Sequence, residues 1–242
     1  MLTLVKANPL RALASLFYPT LCAVCATPVD APAYLCNACR EKAPRIKPPF
    51  CSTCSEPFVG EITDVFSCAN CSHRHLYFEC AVAAFRSRGV VRKLVHEFKY
   101  GHRLHLRHAI ADWLIATLDD PRLRGRKFDL VVPVPLHPAR KRERGFNQAE
   151  LLAELLCARG GLTLTSALER IRYTTTQTAF DRAERMENLR DAFRLRRNAN
   201  VRGFRVLLID DVLTTGSTLS ECARVLKQAG AYSVHAATAA RA

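Results

Sequence analysis

Val206-Leu-Leu-Ile-Asp-Asp-Val-Leu-Thr-Thr-Gly-Ser-Thr218 is the stretch on which the reading of this chain turns. Four apolar residues, Val206 to Ile209, run straight into two carboxylates, Asp210 and Asp211. A short hydroxyl-rich turn, Thr214 to Thr218 with Gly216 inside it, leads into a helical pattern. Buried strand, paired acids, small loop and helix start together make a site for a sugar phosphate. The loop offers backbone N–H groups and hydroxyls to a phosphate, aided by the positive end of the helix dipole. The acids repel phosphate and suit ribose hydroxyls, or a magnesium ion that the ligand brings. The loop lacks the Gly-Lys-Ser/Thr of a P-loop and the three spaced glycines of a dinucleotide site.

Outward from that stretch, strands and helices alternate. Residues 80–85, 129–134, 204–209 and 233–238 read as strands, and 90–100, 105–118, 147–159 and 217–228 as helices. The expected fold class is therefore α/β, a mostly parallel sheet flanked by helices. In such sheets ligands sit beyond the carboxyl ends of the strands, where Asp210 and Asp211 fall.

The first third of the chain has a different texture. Eight of the eleven cysteines form four Cys-x-x-Cys pairs: Cys22/Cys25, Cys36/Cys39, Cys51/Cys54 and Cys68/Cys71. That repeated spacing suits tetrahedral zinc, because each turn presents two thiolates to one ion. Pro44, Pro48 and Pro49 separate the second and third pairs, which favours two successive sub-sites with one Zn2+ each; interleaved pairing is the alternative. The expected organisation is an amphipathic arm over 1–20, a double zinc-ribbon module over 21–76 and an α/β sugar-phosphate-binding domain over 77–242. Reduced, metal-bound thiols and the absence of a signal peptide or a membrane-spanning apolar run point to the cytoplasm.

A hydrophobic content of 49% excludes a disordered chain, and a net charge of +14 favours polyanionic partners. Part of that charge lies in Val132 to Gln148, where a strand exits into prolines and then into Arg140, Lys141, Arg142 and Arg144. A strand end followed by such a basic loop can hold a pyrophosphate. Gly145 to Gln148 reads as a turn with an aromatic anchor ahead of a capped helix. Arg172 to Phe193, with Gln177, Arg182, Arg185 and Asn188, is the natural segment to close over a ligand. Histidines 96, 102, 105 and 108 lie among lysines and arginines and read as a basic face. Cys80, Cys157 and Cys222 read as inert core residues.

The acid pair and its loop are similar to the ribose-phosphate signature of type I phosphoribosyltransferases, whose ligand is phosphoribosyl pyrophosphate (PRPP). With Pro133 to His137, Arg144 to Gln148, Thr174 to Gln177, and Arg185 with Asn188, the chain resembles the ComF family of competence-associated proteins. The resemblance implies a double zinc ribbon fused to a type I phosphoribosyltransferase fold. It implies Asp210 and Asp211 on the ribose hydroxyls and Thr214, Thr215, Gly216, Ser217 and Thr218 around the 5-phosphate, with Mg2+ carried by PRPP. Arg140 and Arg144 would attend the pyrophosphate. It also implies a role in DNA uptake or use of imported DNA, with single-stranded DNA and competence-machinery proteins as partners. Two alternatives remain: a non-catalytic DNA-binding factor with PRPP as its regulatory ligand, and a transferase of nucleotide metabolism.

Overall fold

The computed structural model describes residues 20–30, 34–62, 65–173 and 189–242. The N-terminal arm up to residue 19, and Thr174 to Asn188 with Gln177, Arg182 and Arg185, lie outside the described residues. In chain order the elements begin with two short helices, α1 (Asn37–Glu41) and α2 (Ala69–Ser72), then β1 (Ala81–Arg86) and α3 (Gly89–Tyr100). The next are α4 (Arg107–Ile115), β2 (Leu130–Pro133), α5 (Pro138–Arg144), α6 (Gln148–Gly160) and β3 (Leu168–Arg170). The chain closes with β4 (Phe193–Leu195), β5 (Arg205–Leu213), α7 (Ser217–Gln228) and β6 (Ser233–Arg241).

Four strands form one parallel sheet in the order β1-β6-β5-β2. Side chains alternate along a strand, so one buried run serves both faces. In β5, Leu207 and Ile209 pack into one core with α3, α4 and α6. Val206 and Leu208 pack into the other with α7 and the β3–β4 hairpin. That antiparallel hairpin escapes a pattern reading because each strand holds three residues with charges interleaved.

The two cysteine sub-sites divide between these cores. Cys22 and Cys39 join the face carrying α3 and α4, whereas Cys51, Cys54, Cys68 and Cys71 join the face carrying α7. The ribbon backbone also takes up the free edge of β1. The N–H of Ala81 donates to the Thr53 carbonyl at 2.7 Å, that of Ile46 to Ala84 at 3.0 Å and that of Arg86 to Pro44 at 2.8 Å. The Ser55 hydroxyl accepts from the Ala83 N–H and donates to the Ala81 carbonyl. From the other side, Arg122 donates to the carbonyls of Cys51 and Ser52, pairs with Asp120 at 2.8 Å and lies over the Phe50 ring. Module and sheet are therefore knitted by buried hydrogen bonds.

Candidate functional site: the sheet rim and two cysteine clusters

The strand that the sequence ends at Ile209 continues through the acids to Leu213. Consecutive strand residues face opposite ways, so the two acids meet different partners while their carboxyl groups stay close enough to interact. Asp211 turns toward α3, where the Lys99 ammonium lies 2.7 Å from its Oδ2. Asp210 turns to the face of α7 and the hairpin, where Cys222 and Arg170 feel its charge. Burial first, and then the neighbouring Asp211 charge, push the Asp210 carboxyl up to about 7. Asp210 also accepts the N–H of Asp211 on its own Oδ1, at 2.9 Å.

Lys99 is the site residue that the sequence reading missed. Burial pulls its ammonium down, but the Asp211 charge and hydrogen bond outweigh that and hold it above the ordinary lysine value. Its position carried a signal: Val91, Val95 and Lys99 are spaced by four and share one helical face, whose valines are buried. The exposed basic face formed by Arg88, Arg92, Lys93, His96 and Arg103 therefore loses Lys99 to the interior.

Beyond β5, Gly216 takes the left-handed conformation at φ 78° and caps α7. Nothing but glycine adopts that turn without strain. A side chain there would meet the Phe78 ring at 3.5 Å. Ser217 opens the helix; its hydroxyl lies 2.9 Å from the Thr215 hydroxyl, and its N–H donates to Thr215 Oγ1 at 3.4 Å. Thr214 is exposed, and Thr215 and Thr218 are half-buried. The loop thus sets hydroxyls and helix-terminal N–H groups along one short rim.

The Val134 to Gln148 segment reaches the same rim, because β2 and β5 are neighbours and the Val134 N–H donates to the Ile209 carbonyl at 2.9 Å. Its basic part is a helix, not a loop. His137 caps α5 by accepting the Ala139 N–H, and Gly145 ends it at φ 81°. Phe146 is the anchor, its ring 5.3 Å from that of Phe98 on α3. Asn147 caps α6 and ties it to the Val134 carbonyl.

Helical geometry also sorts the basic residues. Arg144 lies over the Tyr100 ring at 5.0 Å, and Arg140 sits 3.9 Å from Glu143 and over Tyr173. Lys141 and Arg142, by contrast, line a cavity of 490 Å³ together with Arg170 and Arg196.

The eight paired cysteines gather into two clusters, Cys22/Cys25/Cys36/Cys39 and Cys51/Cys54/Cys68/Cys71, with sulfurs within 4.8 Å of one another. Pairing is successive, not interleaved. Sulfur separations of 3.5 Å (Cys25 to Cys36) and 3.6 Å (Cys54 to Cys68) are too long for a disulfide. They match the edge of a zinc thiolate tetrahedron, about 3.8 Å for Zn–S bonds of ~2.3 Å. The donor sets fit two structural zinc ions. Burial pushes the Cys80 and Cys157 thiols up to about 11 and Cys222 well above its ordinary value, which keeps all three protonated and inert.

The double zinc ribbon family matches residues 13–72, and the phosphoribosyl transferase domain family matches residues 106–242. The DNA utilization protein YhgH of Salmonella typhimurium is 32% identical over 89% of this chain and 94% of its own length. Competence protein F of Haemophilus influenzae is 29% identical over 86% of this chain and 90% of its own. The chain belongs to the ComF family. Competence protein ComFC of Bacillus subtilis, at 28% identity over 81% of this chain, is a more distant relative. Among the described residues no helix is long and apolar enough to cross a membrane.

Proposed function

We propose that this ComF-family chain binds PRPP with magnesium and transfers its ribosyl phosphate to an acceptor. The observation that carries the reading is the run of β5 into the acids, then into the left-handed Gly216 and the start of α7. In this reading Thr214 to Thr218 receive the 5-phosphate through hydroxyls and helix-terminal N–H groups. Asp210 and Asp211 together hold the ribose hydroxyls. Magnesium, when it arrives with the ligand, supplies charge neutralisation at the pyrophosphate. The bond from ribose C1 to pyrophosphate breaks as the acceptor's bond forms, and the electron pair leaves with the pyrophosphate. Arg140, Arg144 and the cavity-lining Lys141 and Arg142 lower the energy of that leaving charge. Catalysis is positional and electrostatic.

Calorimetric titration with PRPP and magnesium tests the site. Binding should vanish in the Asp210→Asn/Asp211→Asn double variant; unchanged binding there discards the assignment.

A second reading, that the chain also grips the backbone of single-stranded DNA, draws on a different surface. Arg86, Arg88, Arg92 and Arg241 line a cleft of 720 Å³ at the seam of ribbon and sheet, opposed by Glu56. Arg241 is buried and paired with Glu56, so Arg86, Arg88 and Arg92 are the guanidiniums that suit a polyphosphate backbone and give affinity that falls with salt. Relatives called competence and DNA utilization proteins support a role in DNA uptake or in use of imported DNA. Single-stranded DNA affinity measured from 50 to 300 mM salt decides it; a flat response removes this reading.

A further inference from the structure

We infer that the second cysteine cluster is the scaffold of the Thr214–Thr218 loop, with Asn70 and Arg74 as the positioning residues that couple them. The inference rests on the reading of that loop as the phosphate site. Asn70 stands between Cys68 and Cys71 on α2, and Arg74 follows three residues after Cys71. Both reach across more than 140 positions of sequence to one turn.

The Asn70 side-chain amide donates to the Thr215 carbonyl at 3.1 Å, and Arg74 Nη1 donates to the same oxygen at 3.2 Å. Arg74 Nη2 donates to the Ser217 hydroxyl at 3.1 Å. Arg74 is itself oriented by Asn70, whose Oδ1 accepts from Nη1 at 2.7 Å. Three residues further on, the Tyr77 N–H donates to the Ser220 hydroxyl in the first turn of α7.

These contacts fix the loop in a specific sense. In a trans peptide the C=O and the following N–H point in opposite directions. Two donors held on the Thr215 carbonyl therefore aim the Gly216 N–H away from the ribbon, toward the open side of the loop. The Ser217 hydroxyl, once it accepts from Arg74, must direct its own proton elsewhere: to the Thr215 oxygen or to an anion. A guanidinium so placed also adds a positive charge directly behind the helix N-terminus.

The coupling runs back to the metal site, because Asn70 lies within the Cys68–Cys71 turn and is 92% buried. An ion on those thiolates fixes the turn, and the turn fixes both side chains. Arg122 clamps the opposite flank of the same cluster, so the ribbon cannot yield by rotating as a body. The first cluster has no such reach among the described residues; it meets α3 through Lys93 and α4 through Arg40.

The experiment uses the full zinc-loaded chain and two readouts: PRPP–magnesium affinity by calorimetry and amide exchange of residues 214–219 by mass spectrometry. Arg74→Ala is expected to weaken PRPP at least tenfold and to speed exchange in 214–219, with zinc content unchanged at two ions. Arg74→Lys should recover part of the affinity, since it restores one donor and the charge. Asn70→Asp, which replaces a donor with an acceptor, should speed the same exchange. Cys71→Ser should lower zinc content and reproduce the exchange signature. Arg40→Ala, on the first ribbon, should leave both readouts at the wild-type value. Wild-type exchange and affinity in Arg74→Ala and Asn70→Asp overturn the inference. Failure of the wild-type chain to bind PRPP sinks the functional reading instead, while the exchange measurement still decides the coupling.

Discussion

Removing the Lys99 ammonium should be among the most costly single changes near the acid pair. Its Nζ lies 2.7 Å from Asp211 Oδ2, with the two side chains 21% and 8% exposed. At that separation, an effective dielectric of ~20 gives an attraction of about 6 kcal/mol before desolvation. Desolvation cancels much of it, yet taking away one partner strands the other charge in the interior, which costs about 3–5 kcal/mol. Lys99→Met keeps the stem and removes only the charge. For a chain of this size the loss corresponds to a fall of roughly 6–20 °C in apparent melting midpoint.

Urea unfolding at saturating zinc, run as a double-mutant cycle with Asp211→Asn, isolates the pair. The single Lys99→Met variant should lose about 3–5 kcal/mol, and Asp211→Asn in the same background should recover about 2–4 kcal/mol of it. A coupling below ~0.5 kcal/mol would mean that water already screens the pair, as at a protein surface. The assignment of Lys99 to the interior would then be refuted.

Asp210, raised from 3.8 to about 7, binds a proton in the folded state over a window where the unfolded chain has lost it. Its contribution to stability is thus present below pH ~4 and lost as pH rises through 7. Melting midpoints from pH 5 to pH 8 should fall more steeply for the wild type than for Asp210→Asn; parallel curves would contradict the raised value. PRPP affinity, which needs the carboxylate, should climb over pH 6 to 8. Gly216→Ala forces a left-handed conformation on an L-residue and should cost about 1–2 kcal/mol by thermal unfolding, more than Gly216→Asn. Thiol titration of the folded, zinc-loaded chain should find no fast-reacting cysteine, and chelation should release eight, leaving Cys80, Cys157 and Cys222 silent.

The sheet was legible because each parallel strand is buried on both faces and appears as a continuous apolar run, as in Val206 to Ile209. The cysteine clusters were legible because metal chemistry demands the spacing itself. Gly145-Phe146-Asn147 could be read as a turn, anchor and cap because those roles depend on residue type at neighbouring positions. Other features depend on contacts that no local pattern carries. The grip of Asn70 and Arg74 on Thr215 joins segments more than 140 residues apart. Arg140 to Arg144 read as a loop because their charges masked a helix whose real signals are His137 before it and Gly145 after it. The different partners of Asp210 and Asp211 follow from strand alternation, once β5 is known to run on to Leu213.

The hydrogen bonds from Thr53, Ser55, Ile46 and Pro44 to β1 have a further consequence for the life of the chain. β1 is the outermost strand of a parallel sheet, and its six residues, Ala-Val-Ala-Ala-Phe-Arg, are nearly all apolar. An uncovered strand of that kind is a template for pairing with other chains. The ribbons are its cover, and their shape depends on metal. Zinc shortage would therefore uncover that edge and drive the molecule toward aggregation, and its yield in a cell would follow zinc supply as well as its own rate of synthesis.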